Sequence, residues 1–235
     1  MSKERNDMMS PCKHEHCHGD SCIYKVPIFA GLDEGKAGQL ERLVQQREYR
    51  SGEIIYLEDE PDEFIYIIDS GLVKLYTIGK DGGEYILRLL KSGDFFGEFV
   101  LFREAKHGSS AEAVTDCKVC MIGKKELENL LRTDTELSFN LLASITDRLN
   151  ETEQKLISLA LEDAREKTMR LLLDLAQESG EKRADGILIK LPLNRQGLAN
   201  LIGLSQETLS RKLSELEKED IISVQGQKEI LLRKK

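Results

Sequence analysis

The chain has 235 residues, enough for two ordinary domains, and 40% of them are hydrophobic, enough for a sizeable core. Its net charge of −8 is uneven: residues 1–160 hold 20 Lys+Arg against 29 Asp+Glu, whereas residues 161–235 hold 14 against 13. No apolar run approaches bilayer length, and MSKERNDMMS lacks the apolar core of a signal peptide, so a cytoplasmic chain with no membrane partner is expected.

Residues 1–25 form a cysteine- and histidine-rich segment without hydrophobic periodicity. In CKHEHCHGDSC, Cys12, Cys17 and Cys22 are interleaved with His14, His16 and His18. Cys117 and Cys120 follow much later, in DCKVCMI. Five cysteines in a cytoplasmic chain do not read as a structural disulfide framework.

From Val26 the pattern changes. VPIFAGL leads into a helical stretch to about Gln46. Residues 47–122 then read as short strands (EIIYL, FIYII, VKLYTI, EYILRLL) punctuated by glycine, which predicts an antiparallel sandwich or jelly roll within residues 26–132. Residues 133–161 read as one long helix. Its Leu141, Ile145, Leu149, Thr152, Leu156 and Leu159 make a heptad-like seam, with charged residues outside it. A second copy of the chain is the simplest partner for that seam; packing on the chain's own β-domain is the alternative.

Residues 162–235 read as a helix over Ala164–Gln177, a loop from Gly180 to Gly186, a strand in ILIKLPL, two short helices, and a strand–turn–strand around Gly226. The two short helices lie in NRQGLANLIGLSQETLSRKLSELEK, broken at Gly203, and Ser205 is a good N-cap for the second. At about 100° per residue, Leu209, Leu213 and Leu216 share one face of that helix, while Glu207, Ser210, Arg211 and Ser214 lie on the opposite side. One face packs on a core and the other offers an acceptor, two hydroxyls and a planar bidentate donor. That pattern predicts a helix-turn-helix whose second helix reads base edges in the major groove of double-stranded DNA. An αα-hairpin with a solvated face is the bland alternative.

The whole order resembles the superfamily of the cyclic-AMP receptor protein and the fumarate–nitrate regulator (Crp/Fnr), carried by SGEIIYLEDEPDEFIYIIDSGLVKLY, GDFFGE and the helix-turn-helix. The resemblance implies an α+β fold: an antiparallel β-roll, a long dimerisation helix and a C-terminal winged helix-turn-helix. It also implies a homodimeric transcription regulator with RNA polymerase as a partner. Glu207, Ser210 and Arg211 match the Glu-x-x-Ser-Arg of the fumarate–nitrate branch, which implies a half-site like TTGAT with a two-fold-related half facing it one helical turn away. Nucleotide-binding members carry an Arg-Ser pair some ten residues after Gly97-Glu98. Here REAKHGSSAEA puts His107 or Gly108 at the arginine position, so cyclic AMP binding is not expected; Arg103, substituting from a shifted position, is the alternative.

Oxygen-sensing members hold a [4Fe–4S] cluster on three N-terminal cysteines and one from the β-roll. The resemblance therefore implies Cys12, Cys17, Cys22 and Cys120 as ligands, with Cys117 as the alternative fourth. The x4 and x4 spacing and the interleaved histidines leave other chemistry open: zinc, a thiol–disulfide switch with Cys117 or Cys120, a small-molecule effector, or inert core cysteines. From another class, a metal- or redox-binding protein without DNA function remains. An enzyme is not expected, since no Walker loop, GxSxG, HExxH or paired catalytic carboxylates are found.

Overall fold

The computed structural model describes residues 10–11, 22–102 and 106–234. Cys12, Cys17, His14, His16 and His18 lie outside the described residues. Two compact units form, one from residues through Thr77 with Leu87–Arg148, the other from Ile78–Ile86 with Leu149–Lys235.

The first unit opens with a 3-10 turn at Cys22–Lys25 and a helix α1 at Glu34–Leu43. Asp33 caps α1, its side chain accepting from Lys36 N at 2.9 Å. The helix stops short of Gln46, where the sequence pattern would have carried it, because Gln45–Tyr49 pairs as a strand instead. Strand formation there is a tertiary effect that the local pattern does not encode.

Among the described residues as far as Gly123 the strands, in chain order, are β1 Ser10–Pro11, ahead of the 3-10 turn, then β2 Gln45–Tyr49, β3 Ile54–Tyr56, β4 Phe64–Ser70, β5 Leu72–Ile78, β6 Glu84–Lys91, β7 Phe95–Phe96, β8 Ser110–Ala113 and β9 Cys117–Gly123. They make one sheet in the order β1-β2-β9-β4-β7 and another in the order β3-β8-β5-β6. Short helices α2 (Phe99–Phe102) and α3 (Lys124–Thr133) precede the long helix α4 (Thr135–Leu161).

The central strands β4 and β9 are buried on both faces, which is why FIYII and CKVCMI read as nearly continuous apolar runs. Side chains alternate along a strand, so each run divides between two cores. Tyr66, Ile68, Cys117, Val119 and Met121 pack inside the β-roll with Tyr56 and Phe96. Ile65, Ile67, Cys120 and Ile122 pack outside it with Cys22, Ile23, Ile28, Phe29, Leu127, Leu137 and Leu141. The β4–β5 turn passes through Gly71 at φ +94°, where an added Cβ would lie 2.5 Å from the Asp116 carbonyl oxygen.

The seam of α4 divides. Leu141 is buried in the outer core of the first unit and Ile145 packs against it, so there the stripe does meet its own β-domain. Leu149, Leu156 and Leu159 are exposed in the single chain, as are Phe139, Leu142, Ile157 and Leu161.

In the second unit α5 (Ala164–Ser179) starts at a capping box: Asp163 accepts from the Glu166 amide, and Glu166 accepts from the Asp163 amide. A sheet follows in the order β10 (Glu181–Arg183), β11 (Gly186–Lys190), β13 (Glu229–Arg233), β12 (Ile222–Gln225). Between β11 and β12 lie α6 (Arg195–Leu201) and α7 (Gln206–Lys218). Leu172, Ile189, Leu198, Leu209, Leu213, Leu216 and Ile230 form its core. The sequence assigns Gly180–Gly186 to a loop; the structure makes Glu181–Arg183 a strand, paired with Gly186–Leu188. All three of its residues are exposed, so it has no apolar alternation to read.

Asp163→Ala removes the side-chain half of the capping box, leaving the Glu166 carboxylate on the amide of residue 163, and is expected to destabilise the second unit by about 1 kcal/mol, measured by denaturant unfolding. An unchanged midpoint would show that the box is not needed at this junction.

Candidate redox centre and nucleic-acid interface

Cys22 and Cys120 are joined as a disulfide across 98 residues of sequence, with Cα atoms 6.8 Å apart. Both are buried, at 2% and 0% exposure. Cys117 is three residues from Cys120 on β9, an odd step, and so lies on the opposite face among the inner-core residues. It is a free thiol. Its Sγ donates to the Thr115 and Leu72 carbonyls at 3.0 and 3.2 Å, and burial pushes the thiol pKa up, away from the reactive thiolate. The strand parity that separates these two cysteines was available in DCKVCMI once it was read as a strand.

The segment before Cys12 also comes to this place. Ser10 pairs with Gln46, and Gln46 pairs with Cys120, so the backbone at Ser10 is two strand spacings, about 10 Å, from Cys120. Pro11 thus lies one strand beyond β2, which pairs with β9, and Cys22 meets β9 through Cys120. Among the described residues no group of three His, Cys, Asp or Glu is placed to hold a metal ion; two of the four expected thiols are among them.

The β-roll interior is arranged differently from a phosphate site. Glu98, which would take a ribose hydroxyl, is paired with Arg148 of α4 at 2.6 Å. The same guanidinium lies 3.6 Å from the Phe95 ring centroid and donates to the Phe95 carbonyl at 2.5 Å. His107 is buried and contacts Asp62 through Nε2 at 2.9 Å, with its ring stacked on Tyr56 at 3.5 Å. Asp62 also accepts from the Tyr66 hydroxyl. Burial alone would raise the Asp62 pKa, but hydrogen bonds from His107, Tyr66 and the Glu63 amide outweigh it and hold the carboxyl below its usual range. Gly108 has open space around it and no side chain. Neither His107 nor Gly108 brings a guanidinium to the expected arginine position, so these two residues do not fit a buried phosphate; Arg103 lies outside the described residues.

In the second unit the helix-turn-helix forms as its sequence implies. Asn194 caps α6, accepting from Gly197 N at 2.8 Å, and Ser205 caps α7, accepting from Thr208 N at 3.1 Å. Gly203 turns the chain between them at φ +66°. Leu209, Leu213 and Leu216 are buried, while Glu207, Ser210, Arg211 and Ser214 are exposed on one side of α7. The Ser214 hydroxyl donates to the Ser210 carbonyl at 3.1 Å, which leaves it only acceptor capacity.

One residue was not singled out by the sequence. Arg195, the first residue of α6, keeps a buried Nη1 with no hydrogen-bond partner among the described residues. Burial lowers its pKa, and Glu217 only partly offsets that. An arginine at the first position of a helix gives no sequence signal of being left unsatisfied.

Residues 46–134 match the cyclic nucleotide-binding domain family, and residues 166–235 match the Crp-like helix-turn-helix domain family. The cAMP-activated global transcriptional regulator Vfr of Pseudomonas aeruginosa is 35% identical over 180 residues, 74% of this chain and 82% of that one. An anaerobic regulatory protein of Bacillus subtilis is 29% identical over 197 residues, 83% of each chain. Among solved structures, FixK2 from Bradyrhizobium japonicum superposes with a TM-score of 0.71 at 30% identity, over 81% of this chain and 93% of that one.

Oxidation with diamide, followed by non-reducing peptide mapping, is expected to link Cys22 to Cys120 in Cys117→Ser and to leave no such link in Cys120→Ser. A Cys22–Cys117 link in the wild type would contradict the division of β9 between two cores.

Proposed function

From a chain that belongs to the Crp/Fnr family of DNA-binding transcription regulators, we propose a homodimeric regulator whose operator affinity is set by redox chemistry at Cys12, Cys17, Cys22 and Cys120. The observation that carries this reading is the meeting of Cys22 with Cys120 in the outer core, beside the strand that leads to Cys12. The family homologue named as an anaerobic regulatory protein is in keeping with it.

The four thiols suit a [4Fe–4S] cluster, because soft thiolates match iron in a sulfide-rich core. When bound, such a cluster supplies an oxygen-labile iron–sulfide group. The rest is the work of the chain. Cys22 and Cys120 share a core with Leu127, Leu137 and Leu141, so a shift of the 3-10 turn at the cysteines is felt directly by the first turns of α4. Asn140 reinforces this, donating to the Ala30 carbonyl at 2.8 Å, as does the Lys36–Asp134 pair at 2.6 Å. The exposed apolar residues of α4 are the surface offered to a second copy, so the sulfur chemistry biases that interface between two arrangements. Residues 1–25 then act as sensor, 26–132 as scaffold, 133–161 as dimer element and 162–235 as the DNA-binding part. The β-roll takes no cyclic nucleotide in this reading, given its Glu98–Arg148 pair and buried His107.

A second reading is favoured by the disulfide itself: Cys22 and Cys120 act as a thiol–disulfide switch without metal. Protein purified without oxygen separates the two. About four iron and four sulfide per subunit are expected for the cluster. Absence of metal, with a reversible Cys22–Cys120 disulfide, moves the chemistry to the switch.

On DNA, Arg211 donates to guanine O6 and N7, Glu207 accepts from a base amino group, and Ser210 adds a hydroxyl contact within a TTGAT-like half-site. Arg195, at the first position of α6, takes a phosphate by turning its guanidinium outward from the position in which Nη1 is buried without a partner. Arg211→Ala is expected to cost ~1–3 kcal/mol on the operator and to relax selectivity at one guanine, while Arg195→Ala weakens all duplexes alike. Fluorescence anisotropy on single-base operator variants distinguishes them. Equal loss on random DNA for Arg211→Ala would contradict its base-reading role.

A further inference from the structure

We propose that Asp69 is a positioning residue for the cysteine site, holding the turn that carries Cys22 against the strand pair that carries Cys120. The inference rests on the reading of that site as redox-active.

Asp69 lies near the end of β4, with its side chain 15% exposed. Its Oδ1 accepts from Lys25 Nζ at 2.6 Å, and its backbone carbonyl accepts from the same ammonium at 3.2 Å. Lys25 is the last residue of the turn that begins at Cys22. Asp69 Oδ2 accepts from Gln46 Nε2 at 3.4 Å. Gln46 is the residue directly opposite Cys120 on β2, and on its other side it faces Ser10, two residues before Cys12. The Ser92 hydroxyl also donates to the Asp69 carbonyl, at 2.7 Å, and fixes the backbone of the hub. One carboxylate therefore reaches the turn of Cys22 and the strand position that stands between Cys120 and the approach to Cys12.

The turn also sits directly on the β6–β7 connection. Gly93 has φ +90°, and an added Cβ there would lie 2.8 Å from the Lys25 carbonyl oxygen.

These polar contacts are poorly explained as stability devices. Ile23, Val26, Ile28 and Phe29 already bury the segment, at 0–3% exposure. An ion pair between groups 37% and 15% exposed adds little to that. Its consequence is orientation. Pairing of two thiols within one chain depends on the effective concentration of one sulfur at the other, which falls steeply when either backbone is released.

The pairing converts two thiols into one disulfide with release of two electrons and two protons. Against dithiothreitol the reverse exchange returns both protons to the protein sulfurs, and the reagent's two thiols close into its own cyclic disulfide. The test uses the full-length chain, treated with a chelator and equilibrated across ratios of reduced to oxidised dithiothreitol. Alkylation and mass spectrometry then read the state of Cys22 and Cys120.

Asp69→Asn is expected to shift the equilibrium at least ten-fold toward the thiols, about 30 mV for a two-electron couple, with the melting temperature of the reduced protein little changed. The charge-swapped double variant Lys25→Asp with Asp69→Lys is expected to recover most of the shift. A wild-type equilibrium in Asp69→Asn overturns the proposal while leaving the site reading intact. So does a shift that the swap fails to recover and that follows a fall in melting temperature. A wild-type pair that forms no disulfide at any ratio overturns the proposal together with the thiol–disulfide reading of the site.

Discussion

The junction of Cys22 with Cys120 is what the rest of the first unit is arranged around. It brings a 3-10 turn near the start of the chain onto the central strand of a sheet 98 residues later. The sulfurs are buried in the same apolar cluster as Leu127 of α3 and Leu137 and Leu141 of α4. Close-packed cores do not deform continuously, so in the proposed account a change in bonding at those sulfurs is passed to the helix rather than absorbed. Burial on the outer side of β9 is thus the physical link that the proposed function needs between sulfur chemistry and the helix offered to a second copy.

The inner side of the same strands shows the opposite design. There the polar groups are satisfied within the chain: Glu98 by Arg148, His107 by Asp62, and Asp62 by Tyr66 as well. Burial raises the pKa values of Tyr56 and Tyr66, and the Tyr66 hydroxyl donates to Asp62. A fold matched by the cyclic nucleotide-binding domain family here has its charges spent internally. One sheet therefore carries two cores of different character, an inner one whose polar groups pair with each other and an outer one that contains the joined sulfurs of Cys22 and Cys120.

The sequence was most informative where structure is local. Leu209, Leu213 and Leu216 at helical spacing, with Ser205 ahead of them, located α7 and its exposed side, and the cap bond is formed as expected. The glycine-punctuated strands and the long helix were equally legible, because period and turn chemistry act over a few residues. Contacts set by topology were not. Nothing in QQREY distinguishes a strand from the end of α1 until β9 is there to pair with it. EKR is a strand only because β11 lies beside it. Asp69, Lys25 and Gln46 are ordinary surface residue types, and their meeting spans 44 and 23 residues of sequence. The unsatisfied nitrogen of Arg195 is likewise a property of packing and not of its neighbours in the chain.

The central claim is that the state of the cysteine group governs DNA affinity. The most direct measurement is the dissociation constant for a duplex with two facing TTGAT half-sites. It is taken on one sample prepared without oxygen, and again after that sample has been exposed to air. The account predicts a change of at least ten-fold that is absent in Cys120→Ser. Equal affinity before and after exposure in the wild type would contradict it, and would leave a DNA-binding regulator whose signal enters elsewhere.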